Sequence, residues 1–273
     1  MEDNPAVQKI DSSHRFYIQG QQMSWEEDLG HEFKGHRSIS LHDIHNMCLQ
    51  SQDGGDRTRN AVSISLCAML NSGHGGTVYL GITDSGIVRG LSLSQYQKDH
   101  MEASLEWTFS RFTPLVSDDR YSCCFVPVLS SKNQQNLPTD TQAIDNERRS
   151  RPHHVAQPNY CWCDIDAAAQ HSLGKLSMAY VVEIHVRPWD PHKITNLRNS
   201  LYSSAPPLPP LHLTEANGCH FRQSCRQPRL CLEDVRRLLV HRVQEHFTLK
   251  LTRLQARYNI LMKLAQENNI RIG

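Results

Sequence analysis

The sequence has no long apolar run and no strong excess of charge of either sign. No stretch approaches the roughly 18–20 apolar residues that a membrane-spanning helix needs, and the polar first residues lack the apolar segment of a secretion signal, so we expect a cytoplasmic or nuclear protein. The 29 Lys and Arg residues against 28 Asp and Glu give a formal net charge of +1. That balance excludes a globally basic nucleic-acid coat, so a polyanionic partner would have to be met by a local basic patch.

Apolar residues are also scarce for a chain of this length. They make up 38% of 273 residues, below the roughly 45–50% of an average globular domain. We therefore expect one domain that is diluted by polar segments. Residues 1–24 form a loosely ordered polar segment, and an insertion at about 130–160 is interpreted as disordered. The domain is expected to span residues 25–242, followed by a helical extension at 243–273.

The other segments alternate between strand and helix patterns. Short strands are predicted at 32–34, 77–82, 121–129 and 178–186, and helices at 40–50, 58–70 and 94–112. From Leu232 to Leu264, apolar residues recur at three- and four-residue steps without Pro or Gly. This predicts one long C-terminal helix or two close ones, whose apolar stripe packs on the domain itself or on another helix.

The most informative stretch reads WEEDLGHEFKGH from Trp25 onwards. Because side chains alternate across a strand, Glu32 and Lys34 share one exposed face while Phe33 points to the other, towards the core. A carboxylate beside an ammonium suits metal-dependent phosphodiester cleavage, in which the acid holds a divalent cation and the lysine stabilises the phosphate. Glu27 precedes them across a glycine, where the chain can bend and return a second carboxylate to the same site.

Asp84 adds a third carboxylate, in the turn TDSG that follows an apolar strand. Three carboxylates supply the hard oxygen ligands that Mg²⁺ or Mn²⁺ prefers. Two simpler interpretations compete. Asp84 also suits ordinary turn chemistry, in which its side chain bonds nearby amides, and the pairing of Glu32 with Lys34, taken alone, is consistent with a chance surface arrangement.

Two motif blocks taken together resemble the AlbA_2 domain of Schlafen and Schlafen-like proteins. The first is Glu27 followed by EFK at 32–34, and the second is LNSGHGGTVYLGITDSGIVRG at 70–90; EANGCHFR at 215–222 is similar to the closing hairpin of the family. The resemblance covers roughly residues 25–242. It implies an α+β fold, a mixed β-sheet with packed helices. It maps the acidic triad of the family onto Glu27, Glu32 and Asp84, and its lysine onto Lys34.

The resemblance also implies an activity. Catalytic Schlafens are similar to metal-dependent endoribonucleases, hydrolases that process structured or precursor small RNAs such as tRNA or piRNA precursors. Vertebrate Schlafens carry two such lobes, whereas this chain has one, so we expect a homodimer or a pairing with a related Schlafen-like subunit, with the terminal helix as a contact. Two alternatives stay open: a non-catalytic RNA-binding or assembly subunit, and a structural adaptor that acts through the helix at 232–268.

Basic residues close to the motif blocks are candidates for RNA contact. A few phosphate contacts would give salt-sensitive binding, although a solvated surface of mixed charge is the competing interpretation. The candidates are Lys34, Arg37, Arg57, Arg59, Arg89 and Arg222.

Cysteine pairs flank the polar insertion. The chain has nine cysteines, which we expect to be thiols rather than a disulfide framework. Cys123 and Cys124 lie before the insertion and Cys161 and Cys163 after it, and together they would form a four-cysteine zinc site. Against this stands the opposite orientation of adjacent strand residues, and buried free thiols are the alternative.

Overall fold

The computed structural model describes residues 7–11, 14–44, 60–130, 144–157, 161–175, 178–190 and 208–267. The chain divides into two compact units, Met1–Trp189 with Pro210–Arg229, and Asp190–Pro209 with Leu230–Gly273. The first unit contains a mixed sheet with packed helices, which confirms the α+β class. No helix in the described ranges is both long and apolar enough to cross a membrane.

The first unit contains seven described strands and four described α-helices. The strands are β1 (Val7–Asp11), β2 (His14–Ile18), β3 (His31–Lys34), β4 (Gly76–Leu80), β5 (Leu91–Ser92), β6 (Tyr121–Leu129) and β7 (Ala179–Val186). The helices are α1 (Val62–Ser72), α2 (Gln95–Ser110), α3 (Asn146–Arg149) and α4 (Trp162–Ser172). In the described part of the second unit, one helix, α5, runs over Leu232–Glu267, which confirms the long C-terminal helix.

The sheet has the order β1-β2-β6-β7-β4-β3, and β5 pairs with β7 beside this path. Strand β7 is antiparallel to both of its long neighbours, β4 and β6. The pairs β3–β4 and β2–β6 are parallel. In the β3–β4 register, Glu32 lies opposite Val78 and Lys34 opposite Leu80, so the motif strand is held against a buried apolar strand.

The alternation along β7 distributes its side chains over two cores. Tyr180, Val182, Ile184 and Val186 pack with α1 and α2 on one face, and Val181 packs on the other with Phe33 of β3. Helix α1 is buried from residue 62 to residue 71 and carries no charged side chain, as a helix enclosed by a sheet and its neighbours requires. Helix α2 begins at a capping box in which Ser94 accepts a hydrogen bond from the backbone N–H of Gln97.

Charge is also buried on the second face of the sheet. Glu183 of β7 is 1% exposed and accepts hydrogen bonds from Arg15 at 2.8 Å and from the hydroxyl of Tyr17 at 2.7 Å. His185 lies 3.1 Å from the same carboxylate. Burial alone would raise the pKa of Glu183, but its bonds to His185, Tyr17 and Arg15 outweigh burial and lower it. These partners keep the carboxylate ionised in the interior.

Three parts of the chain differ from the sequence expectation. Residues 14–18 lie within the polar segment 1–24 yet form β2, because Phe16, Tyr17 and Ile18 are buried between polar neighbours. Within the insertion expected to be disordered, residues 144–157 contain α3, and the unpredicted helix α4 follows. The helix predicted at 40–50 begins as a 3-10 turn at Leu41–Asp43, and residues 45–50 lie outside the described residues.

Candidate active site

An open cavity of about 400 Å³ lies beside the edge strand β3. All four residues of the predicted catalytic set line it, although they come from three separate parts of the sequence. The lining residues are Glu27, Glu32, Lys34, Asn60, Ile64, Asp84, His220, Cys225, Arg226 and Gln227. The tertiary fold therefore brings the predicted acids and the lysine to one place.

Glu27 reaches the cavity because the chain before β3 folds back. The carboxylate of Asp28 accepts hydrogen bonds from the backbone N–H groups of Gly30 at 2.7 Å and His31 at 2.8 Å, which closes a tight turn. Glu27 then accepts a hydrogen bond from the backbone N–H of Phe33 at 2.9 Å. Burial raises the pKa of Glu27 in spite of that hydrogen bond. The bend expected at this glycine is confirmed.

Glu32 is buried rather than exposed, which corrects the expected open strand face. It is 2% exposed, because helix α1 covers this side of β3 and Ser65 lies 3.3 Å from its carboxylate. Lys34 and Arg222 each form an ion pair with one of its oxygens. Burial would raise the pKa of Glu32, but the charge of Lys34, followed by that of Arg222, lowers it overall. Phe33, on the opposite face, is buried as predicted.

Arg222 lies in the interior and not on an RNA-facing surface. It is 2% exposed, and its guanidinium donates to the backbone carbonyls of Asp28 at 2.9 Å and His31 at 2.7 Å in addition to Glu32. These contacts tie the hairpin that carries Arg222 to the turn that carries Glu27. The position corrects the expected role, since it supports orientation of the acids rather than phosphate contact.

Asp84 is exposed at the tip of a short hairpin. The turn closes through a hydrogen bond from the N–H of Gly86 to the carbonyl of Thr83 at 2.7 Å, and through the Thr83 hydroxyl, which accepts from the N–H of Ile87 at 3.0 Å. Gly86 has φ +78, in the left-handed region that favours glycine. The carboxylate of Asp84 makes no hydrogen bond or ion pair within the described ranges. Other groups perform the turn chemistry, and Asp84 lines the cavity without a pairing partner among the described residues.

The three carboxylates line one cavity without gathering around a single point. Within the described part of the chain, the only group of three or more His, Cys, Asp or Glu side chains close enough to share a metal ion lies elsewhere, at His100, His153, Cys161 and Cys163. The ion pairs of Glu32 account for this, because both of its oxygens are turned towards Lys34 and Arg222. Binding of a cation here would require Glu32 to exchange at least one of these partners.

The remaining predicted contacts have different positions. Arg37 forms an ion pair with Asp164 of α4, and Arg89 is exposed at the end of the hairpin that carries Asp84. Arg57 and Arg59 lie outside the described residues.

The predicted four-cysteine zinc site is not assembled in the structure. Cys123 and Cys124 are successive residues of β6, so their side chains leave opposite faces of the sheet. Cys123 packs against the core under α1 and α2, whereas Cys124 is exposed. Cys161 and Cys163 are buried together at the start of α4, with histidines in place of the other two cysteines.

A short hairpin supplies cavity residues that sequence reasoning missed. His220 pairs with Arg229, and Gln223 pairs with Arg226, around a turn in which Ser224 has φ +55. The expected turn at 217–218 is a separate one, closed by the N–H of Asn217 to the carbonyl of Thr214 at 2.8 Å. No motif identifies Arg226 or Gln227 in advance, because a side chain at a hairpin tip acquires a role only when the tip is placed over another element.

Comparison with known families gives a match to part of this chain. The sequence profile described as Schlafen, AlbA_2 matches residues 27–202, which is more than half of the chain. The match begins at the first carboxylate of the cavity and includes β3, α1 and the Asp84 hairpin. A nucleic-acid-related function is therefore supported for this chain.

Proposed function

This chain belongs to the Schlafen family through its AlbA_2 domain, and on that premise we propose that it is a metal-dependent endoribonuclease or the catalytic subunit of one. The observation that carries the proposal is that Glu27, Glu32, Lys34 and Asp84 all line one cavity. Acids that face a polyanion without a cation would repel it. A cluster of acids on a nucleic-acid-binding domain is therefore best explained by a bound cation.

The donor set of the cavity fits a hard divalent cation. Glu27, Glu32 and Asp84 offer only carboxylate oxygens, the ligands of Mg²⁺ and Mn²⁺. When bound, such an ion supplies an activated water and neutralises charge on the phosphate. Asp84 supports this role directly, since its carboxylate is exposed and has no partner in the described part of the chain.

Lys34 and Arg222 both pair with Glu32 but have different proposed roles. Arg222 is enclosed and bonded to two backbone carbonyls, so it orients the carboxylate and stays in place. Lys34 lies at the cavity wall with its side chain 15% exposed, and a flexible aliphatic chain carries its ammonium group. We propose that Lys34 leaves Glu32 for the scissile phosphate when a cation takes its place, which would stabilise the charge that develops there.

Structured or precursor small RNAs are the proposed substrates. Family membership supports nucleic acid as the ligand class, and the near-neutral net charge of the chain argues against binding by bulk electrostatics. Among the described residues, the basic side chains that line the cavity are Lys34 and Arg226, and Arg89 is exposed on the hairpin that carries Asp84. A folded RNA that presents phosphates at a fixed spacing would suit so small a set.

The proposal is tested by cleavage of a folded small RNA in the presence of Mn²⁺. Asp84→Asn is the informative variant, because an exposed, unpartnered side chain can be changed without disturbing the fold. We expect a loss of cleavage of at least about 100-fold, as for removal of one group that stabilises charge in the transition state. Glu26→Gln, an exposed acid beside Glu27 that does not line the cavity, is the matched control and should cleave normally.

Glu32→Ala is a second variant that tests the same site in the cleavage assay. Loss of cleavage in Glu32→Ala and Asp84→Asn, with retained RNA binding, would support the nuclease. Equal cleavage by wild type and Asp84→Asn would overturn the catalytic assignment. Because Glu32 is buried between two cations, its variant is compared only after the circular dichroism spectrum has established that it folds.

A non-catalytic RNA-binding or assembly subunit is the second candidate. The observation that favours it is the complete pairing of Glu32 with Lys34 and Arg222, which balances the charge of this acid without any ion. This candidate predicts that RNA retention is unaffected by chelation of divalent cations. Filter binding with and without chelator, on the same material as the cleavage assay, separates the two functions.

We propose self-association through α5 as the way one lobe forms a full RNA site. Within this helix, Phe247, Leu251, Leu254, Tyr258 and Leu261 recur at steps of four, three, four and three residues, and each is 43–66% exposed. This is the spacing of a coiled-coil seam. Leu254→Asp should convert a dimer to a monomer in light scattering after size exclusion. Thr252→Asp, exposed on the side of the helix away from the seam, should not.

A further inference from the structure

A second polar cluster lies in the first unit, apart from the carboxylate cavity. His100 comes from the middle of α2, His153 from the segment after α3, and Cys161 and Cys163 from the start of α4. His100 is 3% exposed and both cysteines are fully buried. One ligand atom from each of the four residues lies within 4.8 Å of every other. Helix α2 and a later stretch of the chain, within residues 153–163, therefore meet at one point.

Three of the sulfur–nitrogen distances in the cluster agree with the edges of a tetrahedral zinc site. Zn–S bonds of about 2.3 Å and Zn–N bonds of about 2.0–2.1 Å in tetrahedral geometry place sulfur and nitrogen about 3.5 Å apart. Nδ1 of His100 lies 3.3 Å from Sγ of Cys161 and 3.5 Å from Sγ of Cys163. Nδ1 of His153 lies 3.6 Å from Sγ of Cys161.

The two thiols share their contacts with the two imidazoles. Both sulfurs approach Nδ1 of His100, and Sγ of Cys161 also approaches Nδ1 of His153. Because a neutral imidazole nitrogen accepts only one hydrogen bond, hydrogen bonding pairs Cys161 with His153 and Cys163 with His100. The described ranges contain no ion pair to any of the four side chains. A single cation bound by two thiolates and two neutral imidazoles would satisfy all four groups together.

The surroundings show that the cluster joins a polar segment to the core. Residues 144–157 are nearly all exposed, so they bury little apolar surface with which to hold their own position. They are attached around the cluster: Arg149 bonds Asp99 of α2 through two contacts of 2.7 and 2.9 Å. Trp162 stacks on His153 with ring centroids 5.2 Å apart. A segment with so small a core is of the kind that a structural metal stabilises.

We propose that His100, His153, Cys161 and Cys163 form a structural Zn²⁺ site. Four protein ligands leave no open position, as in structural rather than catalytic zinc centres. Two sulfurs and two nitrogens in a tetrahedral setting select zinc over magnesium or manganese. The ion would thus differ in kind from the one proposed for the carboxylate cavity.

The site would also position a residue next to the carboxylate strand. Asp164 follows the ligand Cys163 directly, and its carboxylate accepts a hydrogen bond from Gln97 of α2 at 2.7 Å and forms the ion pair with Arg37. Arg37 lies three residues beyond Lys34. Fixing the start of α4 to α2 therefore holds Asp164 where Arg37 meets it. This makes Arg37 dependent on the zinc site for its place.

The test is the metal content of the purified full chain, measured by inductively coupled plasma mass spectrometry. We expect one equivalent of zinc in the wild type and its loss in Cys161→Ser. A double variant, Cys123→Ser with Cys124→Ser, should keep the equivalent, which separates this site from a four-cysteine one. Exposed Cys231→Ser is the matched single-cysteine control and should also keep it.

Two further measurements keep the proposal falsifiable if Cys161→Ser does not fold. Replacing zinc by Co²⁺ in the wild type should give a tetrahedral spectrum with charge-transfer intensity for two thiolates. His153→Cys, which exchanges one ligand for another, should retain one equivalent and shift that spectrum towards three thiolates. A wild type without zinc, a disulfide between Cys161 and Cys163 in its place, or undiminished zinc in a folded Cys161→Ser variant would overturn the proposal. None of these outcomes depends on RNA cleavage.

Discussion

The carboxylate cavity and the His–Cys cluster are two polar sites in one unit, and they differ in how the charges of their side chains are balanced. In the cavity, Glu32 is buried with its charge already balanced by Lys34 and Arg222. In the cluster, four side chains converge without an ion pair among the described residues. A cation in the cavity must therefore displace protein groups, whereas a cation in the cluster completes a set of ligands. The first arrangement suits an exchangeable catalytic ion and the second a permanent one.

The largest expected effect comes from unbalancing the cavity. Glu32→Gln leaves the guanidinium of Arg222 buried without a counter-charge, and breaking such a pair typically costs about 3–5 kcal/mol. We expect the free energy of unfolding in urea to fall by that order. The double variant Glu32→Gln with Arg222→Met removes both charges and should recover part of the loss. An unchanged midpoint in Glu32→Gln would show that the pair does not stabilise the fold.

Removal of the proposed zinc ion should destabilise the protein by a comparable amount. A ligand present at about 1,000 times its Kd stabilises the native state by about 4 kcal/mol. We expect ortho-phenanthroline to lower the thermal midpoint in differential scanning fluorimetry and added zinc to restore it. The meta isomer, which does not chelate, should have no effect. Equal thermal midpoints with the ortho and meta isomers would show that no chelatable ion stabilises the His–Cys cluster.

Lys34→Met tests whether the cavity works by partner exchange. The change frees one oxygen of Glu32 and removes a competing cation, and a charge-assisted hydrogen bond contributes about 1.5–3 kcal/mol. We expect Mn²⁺ to bind about tenfold more tightly or better in calorimetry, while RNA cleavage falls. Lys250→Met, on the terminal helix, is the control and should leave Mn²⁺ affinity unchanged. Weaker Mn²⁺ binding in Lys34→Met would contradict an exchange between lysine and cation.

Acid should weaken the fold through the buried carboxylates. The pKa values of Glu32 and Glu183 are lowered by their cationic partners, so they contribute stability that is present above the ordinary pKa of 4.5 and lost as pH falls through the lowered values. We expect the urea midpoint to drop progressively below pH 4.5. The drop should be smaller in Glu32→Gln, which has one such group fewer. A pH-independent midpoint in the acid range would count against both pairs.

The smallest effect is expected at the surface. Arg89 is exposed beside the Asp84 hairpin, so Arg89→Ala should weaken RNA binding a few-fold and reduce the slope of log affinity against log salt by about one. Arg237→Ala, whose guanidinium pairs with Asp234 on the terminal helix, is the comparison. An unaltered salt slope in Arg89→Ala would show that RNA does not contact the protein at Arg89.

The candidate site could be predicted where local pattern carries the information. Alternation along residues 32–34 places Phe33 in the core, and the glycine before it predicts the bend that returns Glu27. The motif blocks identify Asp84, and hydrophobic periodicity predicts α1, α2, β6 and β7 within a few residues. Each of these inferences depends on neighbours in sequence, for which the chain geometry of strands, helices and turns is sufficient.

Contacts between distant segments escaped prediction. Arg222 resembles a surface arginine in sequence but is enclosed, because its hairpin folds onto the turn at Asp28. His153 lies eight residues before Cys161 and could have been paired with it from spacing. His100, on a helix some sixty residues earlier, carries no such signal. Strand β2 was not predicted, because three apolar residues within a polar segment are too few to show a periodic pattern.

The sequence by itself determined the class of fold, the family and the identity of the acids and lysine, because these follow from periodicity and from motifs that are contiguous. Only the tertiary structure decided how their charges are balanced. It set Arg222 against Glu32, left Asp84 without a partner within the described chain, and joined two histidines to two cysteines across three elements. The physical reason is that burial and ion pairing depend on three-dimensional contacts. Residues separated by tens of positions make such contacts only in the folded chain.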